Sequence, residues 1–240
     1  MLSYLTQNLQ EKKSFKIAFL GTSLTSAEWV HPNWREIVEY VLKEALEEQF
    51  TDWRVPSWGI RCINAGFDGA NTKDLINLLE KNVIAYEPDL VIVLATSNDI
   101  FSEITPGRHK ENIKSIINML VAKNIKVVYC TNICTNNSAY NEKYLPYLNE
   151  ALSLFPYKGV PAINMLEAFE NYPLDKFFTF VSSGNEVVGI KPGELDYIHP
   201  NQLGNAYIAK VFLDRIFGIS FDPEKYIAEN NAGKMFPGYN

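Results

Sequence analysis

The sequence predicts an α/β fold of three layers, α/β/α, around a central and mostly parallel five-stranded sheet. Short apolar runs that suit strands alternate along the chain with longer amphipathic runs that suit helices, a pattern typical of doubly wound sheets. The run at residues 90–94, Leu-Val-Ile-Val-Leu, is apolar at every position, as expected for a central strand that is covered on both faces. Because no internal repeat or flexible linker interrupts this alternation, we predict a single domain over residues 1–240.

The predicted elements follow one another in strand–helix order. Strands are expected at residues 16–20, 61–64, 90–94, 125–129 and 161–163. Helices are expected at residues 34–48, near 75–83 and 113–121, and at 141–154 and 201–217. The helix at 34–48 is the clearest of these, because its apolar residues recur at i, i+3, i+4 and i+7.

Two segments near the end of the chain depart from this alternation. Two β-prone runs flank the sequence Ser-Ser-Gly-Asn, which predicts a β-hairpin over residues 177–190. From about residue 220 the chain becomes polar and loses its periodicity. We therefore expect an irregular C-terminal tail that lies along the surface.

Composition and charge exclude several classes of protein. The 240 residues carry 22 Lys and Arg against 28 Asp and Glu, a net charge of −6, which argues against nucleic-acid binding because phosphate neutralisation needs a basic face. No apolar stretch is long enough to predict a membrane span. The N-terminus lacks an apolar signal-peptide core, and three cysteines cannot all pair. We expect reduced thiols and a cytoplasmic location.

Four polar or glycine-rich segments are placed to meet at one edge of the predicted sheet, where ligands of open α/β sheets bind. Three of them follow strands, at residues 21–25, 64–69 and 96–99, and the fourth precedes the last helix at residues 196–200. Each segment alone reads as an ordinary turn, loop or helix cap. Their joint occurrence in this order favours a functional site.

These segments contain the residue types that a serine nucleophile needs. Ser23 is a weak nucleophile until a base removes its proton, and His199 is the candidate base. Asp196, three residues earlier, can hold the other ring nitrogen and fix the tautomer. The backbone N–H groups of Ser23 and Gly66 and the side-chain amide of Asn98 are candidate donors for an oxyanion hole.

Other candidate sites carry weaker signals. We expect His31 to be structural or solvated, and His109 to be exposed near a helix start. Cys130 and Cys134 are expected to be buried and unreactive, since a single nearby lysine gives a thiol little activation. The sequence contains neither a nucleotide-binding glycine motif nor a metal-ligand cluster, so it predicts neither a cofactor nor a bound metal.

Taken together, the four segments resemble the blocks of the SGNH hydrolase superfamily, the GDSL-type esterases and lipases. The resemblance places Ser23 at the nucleophile, Gly66 and Asn98 at the oxyanion-hole residues, and Asp196 and His199 in the triad. It spans residues 16 to about 216, and it implies an SGNH or flavodoxin-like sheet. The sequence departs from the family pattern in two places: Thr22 replaces the usual aspartate, and Thr96 stands where the third block usually has glycine.

The resemblance implies hydrolysis of a carboxylic ester through an acyl-enzyme on Ser23, without a cofactor and with a small-molecule ester as the partner. A carbohydrate O-acetylesterase or an acyltransferase is the alternative enzyme. A hydrolase-like module that binds a glycan or a protein without turnover is the alternative from another class. Phe67, Phe101 and the phenylalanines of residues 177–180 are candidate walls of an acyl pocket, or core residues. The sequence predicts no oligomeric state.

Overall fold

The computed structural model describes residues 1–26, 28–95 and 97–240. Its sheet has five strands in the order β2-β1-β3-β4-β5, and each neighbouring pair is parallel. The strands are β1 (Phe15–Gly21), β2 (Ile60–Gly66), β3 (Leu90–Leu94), β4 (Lys126–Cys130) and β5 (Ala162–Ile163). The predicted α/β class and five-stranded parallel sheet are confirmed.

Ten α-helices lie within the described ranges. They are α1 (Leu2–Lys12), α2 (Ser23–Ser26), α3 (Trp34–Glu47), α4 (Arg54–Gly59), α5 (Thr72–Asn82), α6 (Pro106–Val121), α7 (Ser138–Leu152), α8 (Met165–Phe169), α9 (Gln202–Phe212) and α10 (Pro223–Asn231). Periodicity predicts α3, α5, α6, α7 and α9, and misses the shorter helices and α1. Across the described part of the chain, none of the helices has both the length and the apolar character needed to cross a membrane.

Two separate cores lie on the two faces of the sheet. Alternate residues of the central strands face opposite sides, so that Phe19 and Ile92 belong to one core and Leu20 and Val93 to the other. Residues of α1, α3, α9 and α10 complete the first core, and residues of α5 and α6 complete the second. This arrangement gives the three predicted layers.

The prediction of a β-hairpin over residues 177–190 is wrong. The structure has two isolated antiparallel bridges in this region, Val181 with Leu195 and Asn185 with Ile190. Phe177 follows a 3₁₀ turn and is fully buried in the first core, whereas Val187 is 72% exposed. The two β-prone runs therefore do not face a common apolar surface, and a two-stranded hairpin without such a surface has little stability.

The prediction of an irregular tail from about residue 220 is also wrong, because this part of the chain contains α10. Asp222 caps this helix by accepting the N–H groups of Glu224 and Lys225, and Pro223 occupies the first helical position. Asp followed by Pro is a recognised helix-start signal. Tyr226 is buried against the first core, which supplies the packing that the polar sequence of this helix lacks.

The central strand should dominate stability. Ile92 is fully buried in β3, and we expect Ile92→Ala to lower the free energy of unfolding by about 2–5 kcal/mol through lost burial and a cavity. Met235→Ala is the control, since this side chain is 83% exposed and its truncation should cost less than about 0.5 kcal/mol. Urea unfolding of both variants measures the difference, and equal costs would contradict this account of the core.

Candidate active site

The four polar segments meet beyond the carboxyl ends of the strands, as predicted. β1 ends at Gly21 and β2 ends at Gly66, and these two glycines are paired across the parallel ladder. Ser23 begins the four-residue helix α2 directly after β1. Asp196 and His199 lie in the segment before α9 and are 8% and 6% exposed.

The side chains of Ser23, His199 and Asp196 form one hydrogen-bonded line. His199 Nε2 lies 3.0 Å from Ser23 Oγ, and His199 Nδ1 lies 2.6 Å from Asp196 Oδ2. An ionised carboxylate can only accept hydrogen bonds, so Nδ1 carries the proton and Nε2 presents its lone pair to the serine hydroxyl. This is the tautomer that a general base requires.

The ionised form of Asp196 is stabilised by its surroundings. Burial by itself would raise the pKa of Asp196, but the hydrogen bond and charge of His199 and two backbone N–H groups outweigh it and lower the pKa below its ordinary value. The two N–H donors are those of Ile198, at 2.8 Å, and His199, at 3.1 Å, and both reach Oδ1. Asp196 is therefore a carboxylate at neutral pH.

Two glycines allow the Ser23 turn to rest directly on the sheet. A β-carbon on Gly66 would collide with the backbone of α2, coming within 2.7 Å of Ser26 Cα. A β-carbon on Gly21 would come within 2.9 Å of Thr25 Cβ and 3.0 Å of the Leu94 carbonyl oxygen. Both positions therefore need glycine because neighbouring atoms leave no room for a β-carbon. At Gly66 these atoms belong to the backbone of α2, and at Gly21 they belong to the Thr25 side chain and the Leu94 carbonyl.

Helix α3 holds the other side of the turn. A four-residue helix cannot satisfy its own last carbonyls, and side chains at the start of α3 donate to them instead. Trp34 Nε1 donates to the Leu24 carbonyl at 2.7 Å, Asn33 Nδ2 donates to the same oxygen at 3.2 Å, and Arg35 Nε donates to the Thr25 carbonyl. Burial lowers the pKa of Arg35, against the opposing effect of nearby acidic groups.

Asn205 joins the turn to the His199 segment, and sequence reasoning did not find it. Its Oδ1 accepts the Trp34 N–H at 3.2 Å, and its Nδ2 donates to the carbonyls of Pro200, at 2.9 Å, and Asn201, at 3.1 Å. Asn205 is buried within α9. A polar residue among the apolar residues of this helix was the available signal, but it does not identify the partners.

The three candidate oxyanion donors differ in whether their hydrogens already have acceptors within the protein. Asn98 Nδ2 donates one hydrogen to the Ala70 carbonyl at 2.8 Å, which leaves its second amide hydrogen for a ligand. The Ser23 N–H lies in the first turn of α2, where no carbonyl of the helix accepts it. The Gly66 N–H, in contrast, donates to Asn64 Oδ1 at 2.9 Å.

A cavity of about 250 Å³ opens beside Ser23 and His199. Its described lining also includes Trp29, Asp68, Gly69, Asn71, Asn98, Phe101, Ser102, Asn185, Val187, Val188 and Ile198. Gly66 is not among these residues. Asp68 is the one carboxylate, and the described lining contains no lysine or arginine, so the cavity offers no positive side chain to an anionic ligand.

Trp29 covers the candidate base and was also missed from the sequence. Its ring stacks on the His199 imidazole with a centroid separation of 4.5 Å and an interplanar angle of 14°. Its Nε1 donates to Asp68 Oδ1 at 3.1 Å, and the residue remains 48% exposed. Among the predicted pocket walls, Phe101 lines the cavity, whereas Phe67 packs against the second core.

The expectation for His109 was wrong. His109 is fully buried, and its Nδ1 lies 2.8 Å from Oδ2 of the equally buried Asp99. The reason is the direction of α6, which starts at the Thr105 cap and turns His109 inward onto the Asp99 carboxylate. His31, as expected, is solvated, with its side chain 83% exposed beside Glu36.

The three cysteines are unpaired thiols within the part of the chain that the structure describes. Burial raises the pKa of the Cys62 and Cys130 thiols well above the ordinary value, which keeps them protonated at neutral pH. Cys130 is buried as expected, whereas Cys134 is only partly buried, although burial still raises the pKa of its thiol. Thr22 is buried beside Ser23, and Thr96 lies outside the described residues.

The close approach at Gly66 can be tested with a single methyl group. We expect Gly66→Ala to displace the Ser23 turn and to lower kcat/KM for a short ester by about 10²-fold, because a shift of 1 Å at a reacting group has an effect of this order. Gly107→Ala is the matched control, since a β-carbon there meets nothing within 4 Å. Wild-type turnover by Gly66→Ala would contradict the packing constraint.

Comparisons with known structures show that other proteins share this fold. The chain is similar in structure to a lipase/acylhydrolase from Enterococcus faecalis, with a TM-score of 0.64 and 22% identity over 85% of this chain and 96% of that chain. It is also similar to the acetyl xylan esterase AlAXEase, with a TM-score of 0.64 and 20% identity over 85% and 100% of the two chains. A catalytic mutant of Axe2, an acetylxylan esterase from Geobacillus stearothermophilus, has a TM-score of 0.61 and 19% identity over 85% and 94%.

These structural similarities concern the fold, and sequence comparison adds the family. No curated protein matches the chain. The model of the GDSL-like Lipase/Acylhydrolase family, however, matches residues 19–207, which include Ser23 and His199 and most of the sheet. The chain therefore belongs to the GDSL-like lipase/acylhydrolase family and is a carboxylic ester hydrolase.

Proposed function

We propose that the protein is a serine esterase that cleaves short-acyl esters through an acyl-enzyme on Ser23. The observation that carries this proposal is the line from Ser23 Oγ through His199 to Asp196, with separations of 3.0 and 2.6 Å. These distances are within reach for proton transfer, and Ser23 and His199 both line the cavity of about 250 Å³.

In the first half of the reaction, Ser23 Oγ attacks the acyl carbon while His199 Nε2 takes its proton. Asp196 stabilises the imidazolium that forms and remains ionised. The negative charge that develops on the carbonyl oxygen is stabilised by the Ser23 N–H and the free amide hydrogen of Asn98. Gly66 can contribute its N–H as a third donor once that group leaves Asn64 Oδ1.

Acylation is completed when His199 gives this proton to the oxygen of the leaving alcohol and the bond between that oxygen and the acyl carbon breaks, which leaves the acyl group on Ser23 Oγ. Water then enters, gives a proton to His199 and attacks the acyl-enzyme. As the second tetrahedral intermediate collapses, the bond between Ser23 Oγ and the acyl carbon breaks and His199 returns its proton to Ser23 Oγ, which releases the carboxylic acid and regenerates the serine hydroxyl. An alcohol in place of water would make the same chain an acyltransferase.

The lining of the cavity favours a small and uncharged substrate. Phe101, Val188 and Ile198 provide apolar walls, and the volume is below the roughly 300–1,000 Å³ of pockets for drug-sized ligands. The absence of cationic side chains from the described lining disfavours phosphorylated or other anionic esters. An O-acetylated carbohydrate is the second candidate substrate. It is favoured by the half-exposed indole of Trp29, which donates to Asp68, and by Asn71 in the lining of the same cavity.

Substitution of the nucleophile and of one donor tests the mechanism. We expect Ser23→Ala to abolish hydrolysis of p-nitrophenyl acetate without changing the melting profile, and Asn98→Ala to lower kcat by about 10²- to 10³-fold. A fluorophosphonate probe should add to Ser23 in the folded wild-type protein, as read by intact-mass spectrometry. Full activity of Ser23→Ala would overturn the proposal, and the absence of both adduct and turnover would favour a binding module.

A panel of substrates tests the proposed size and charge limits. We expect kcat/KM to fall from acetyl to butyryl to octanoyl p-nitrophenyl esters, because the longer acyl chains do not fit in the space between the apolar walls of the cavity. The rate of acetate release from peracetylated xylose should be compared with the rate of hydrolysis of p-nitrophenyl acetate at equal substrate concentration. Equal rates for acetyl and octanoyl esters would contradict the short-acyl assignment, and added acceptor alcohols would reveal any transfer product.

A further inference from the structure

We propose that Asp99 and His109 form a buried positioning pair that fixes the Asn98 amide as an oxyanion donor. This inference rests on the proposed function, and it gives a role to a second aspartate–histidine pair in the molecule. Both residues are fully buried, and neither lines the cavity beside Ser23. They are therefore positioning residues that act through Asn98.

The Asp99 carboxylate joins three elements of the fold. It lies in the 3₁₀ turn Ser97–Phe101, next to Asn98 in the chain. Its Oδ1 accepts the Thr72 N–H at 2.8 Å, and its Oδ2 accepts the Thr72 hydroxyl at 2.6 Å and His109 Nδ1 at 2.8 Å. Thr72 begins α5 and His109 lies in α6, so the carboxylate fixes the turn against both helices.

The same carboxylate controls both sides of the hydrogen bond that orients Asn98. The backbone of Asn98 directly precedes Asp99, whose own carbonyl accepts the Ser102 hydroxyl at 3.1 Å. The acceptor of the Asn98 amide is the carbonyl of Ala70 at 2.8 Å, two residues before Thr72. Holding Thr72 and the 3₁₀ turn together therefore fixes the separation between donor and acceptor.

With one amide hydrogen fixed on Ala70, the planar geometry of the amide determines the direction of the other. Asn98 lines the cavity together with Ser23 and His199, so the free hydrogen is available to the acyl oxygen. Electrostatic stabilisation depends on donors that need no rearrangement during the reaction. Loosening the Asp99 network would let the amide rotate and would weaken this donor.

The environment of His109 favours a role for Nδ1 over simple space filling. Its Nε2 is buried and finds no hydrogen-bond partner among the described residues, which is unfavourable for an imidazole in an apolar site. The ring packs edge-on against Tyr147 at a centroid distance of 5.7 Å. An apolar side chain could fill this volume without leaving a nitrogen unpaired, but it could not donate to Asp99.

Two substitutions at position 109 separate hydrogen bonding from packing. His109→Leu fills a similar volume and removes the donor, whereas His109→Asn can place an N–H near the position of Nδ1. We expect His109→Leu to lower kcat for p-nitrophenyl acetate about 10- to 100-fold with KM within about twofold, less than the 10²- to 10³-fold effect of removing an oxyanion donor. His109→Asn should recover most of the lost kcat.

The decisive measurement is a double-mutant cycle with Asn98→Ala. If His109 acts through the Asn98 amide, His109→Leu should cause no further loss of kcat, within about twofold, when Asn98→Ala is already present. The same loss in both backgrounds would overturn the proposal. Thr72→Val, which removes the hydroxyl donor to Asp99 at nearly constant volume, provides a second cycle with the same expected result should His109→Leu not fold.

Failure of this inference is distinguishable from failure of the proposed function. The proposed function fails if Ser23→Ala retains turnover, whatever happens at position 109. The positioning role fails if Ser23→Ala is inactive and the two cycles are additive. Intact-mass detection of the Ser23 adduct in His109→Leu adds a control, because an intact triad should still react with a fluorophosphonate.

Discussion

The contact between the Ser23 turn and the ends of β1 and β2 is the constraint on which the rest of the site depends. Parallel pairing sets Gly21 and Gly66 side by side, and the absence of two β-carbons lets α2 lie against both strand ends. The position of the Ser23 hydroxyl is thereby set by the paired ends of two strands of the sheet. Helix α3 then holds the outer carbonyls of the turn, and Asn205 connects α3 to the segment that carries His199.

Two buried aspartate–histidine pairs differ in what surrounds Nε2 of the histidine, and this difference separates their roles. In both pairs Nδ1 faces a carboxylate oxygen, at 2.6 Å for His199 and 2.8 Å for His109. His199 turns Nε2 toward the Ser23 hydroxyl at the cavity, so it can exchange a proton with a substrate. His109 is enclosed on all sides, and its Nε2 has no partner in the described part of the chain, which leaves it a role in holding Asp99.

The sequence predicted the parts of this molecule that depend on local pattern or on chain direction. The apolar run of β3 and the periodicity of α3 determined the layers, and parallel strands necessarily bring their carboxyl ends to one edge. Features that depend on distant partners were missed: the inward direction of His109, the three contacts of Asn205 and the stacking of Trp29 on His199. The hairpin failed for a related reason, since β-propensity does not specify whether a covering surface exists.

The three candidate oxyanion donors differ in whether their hydrogen already has an acceptor in the protein. Because of this difference, we expect Asn98 to contribute more to the proposed mechanism than Gly66 does. Asn64 bridges β2 and the Ser23 turn, because its Nδ2 donates to the Ser26 carbonyl at 2.9 Å while its Oδ1 accepts the Gly66 N–H. Use of that N–H by a substrate requires the Asn64 bond to break, and this cost offsets part of what the new bond contributes. The Ser23 N–H and the Asn98 amide need no such exchange. In the proposed mechanism, transition-state stabilisation therefore depends most on those two donors. Of the two, only Asn98 donates from a side chain, whose orientation we propose the buried Asp99 network maintains.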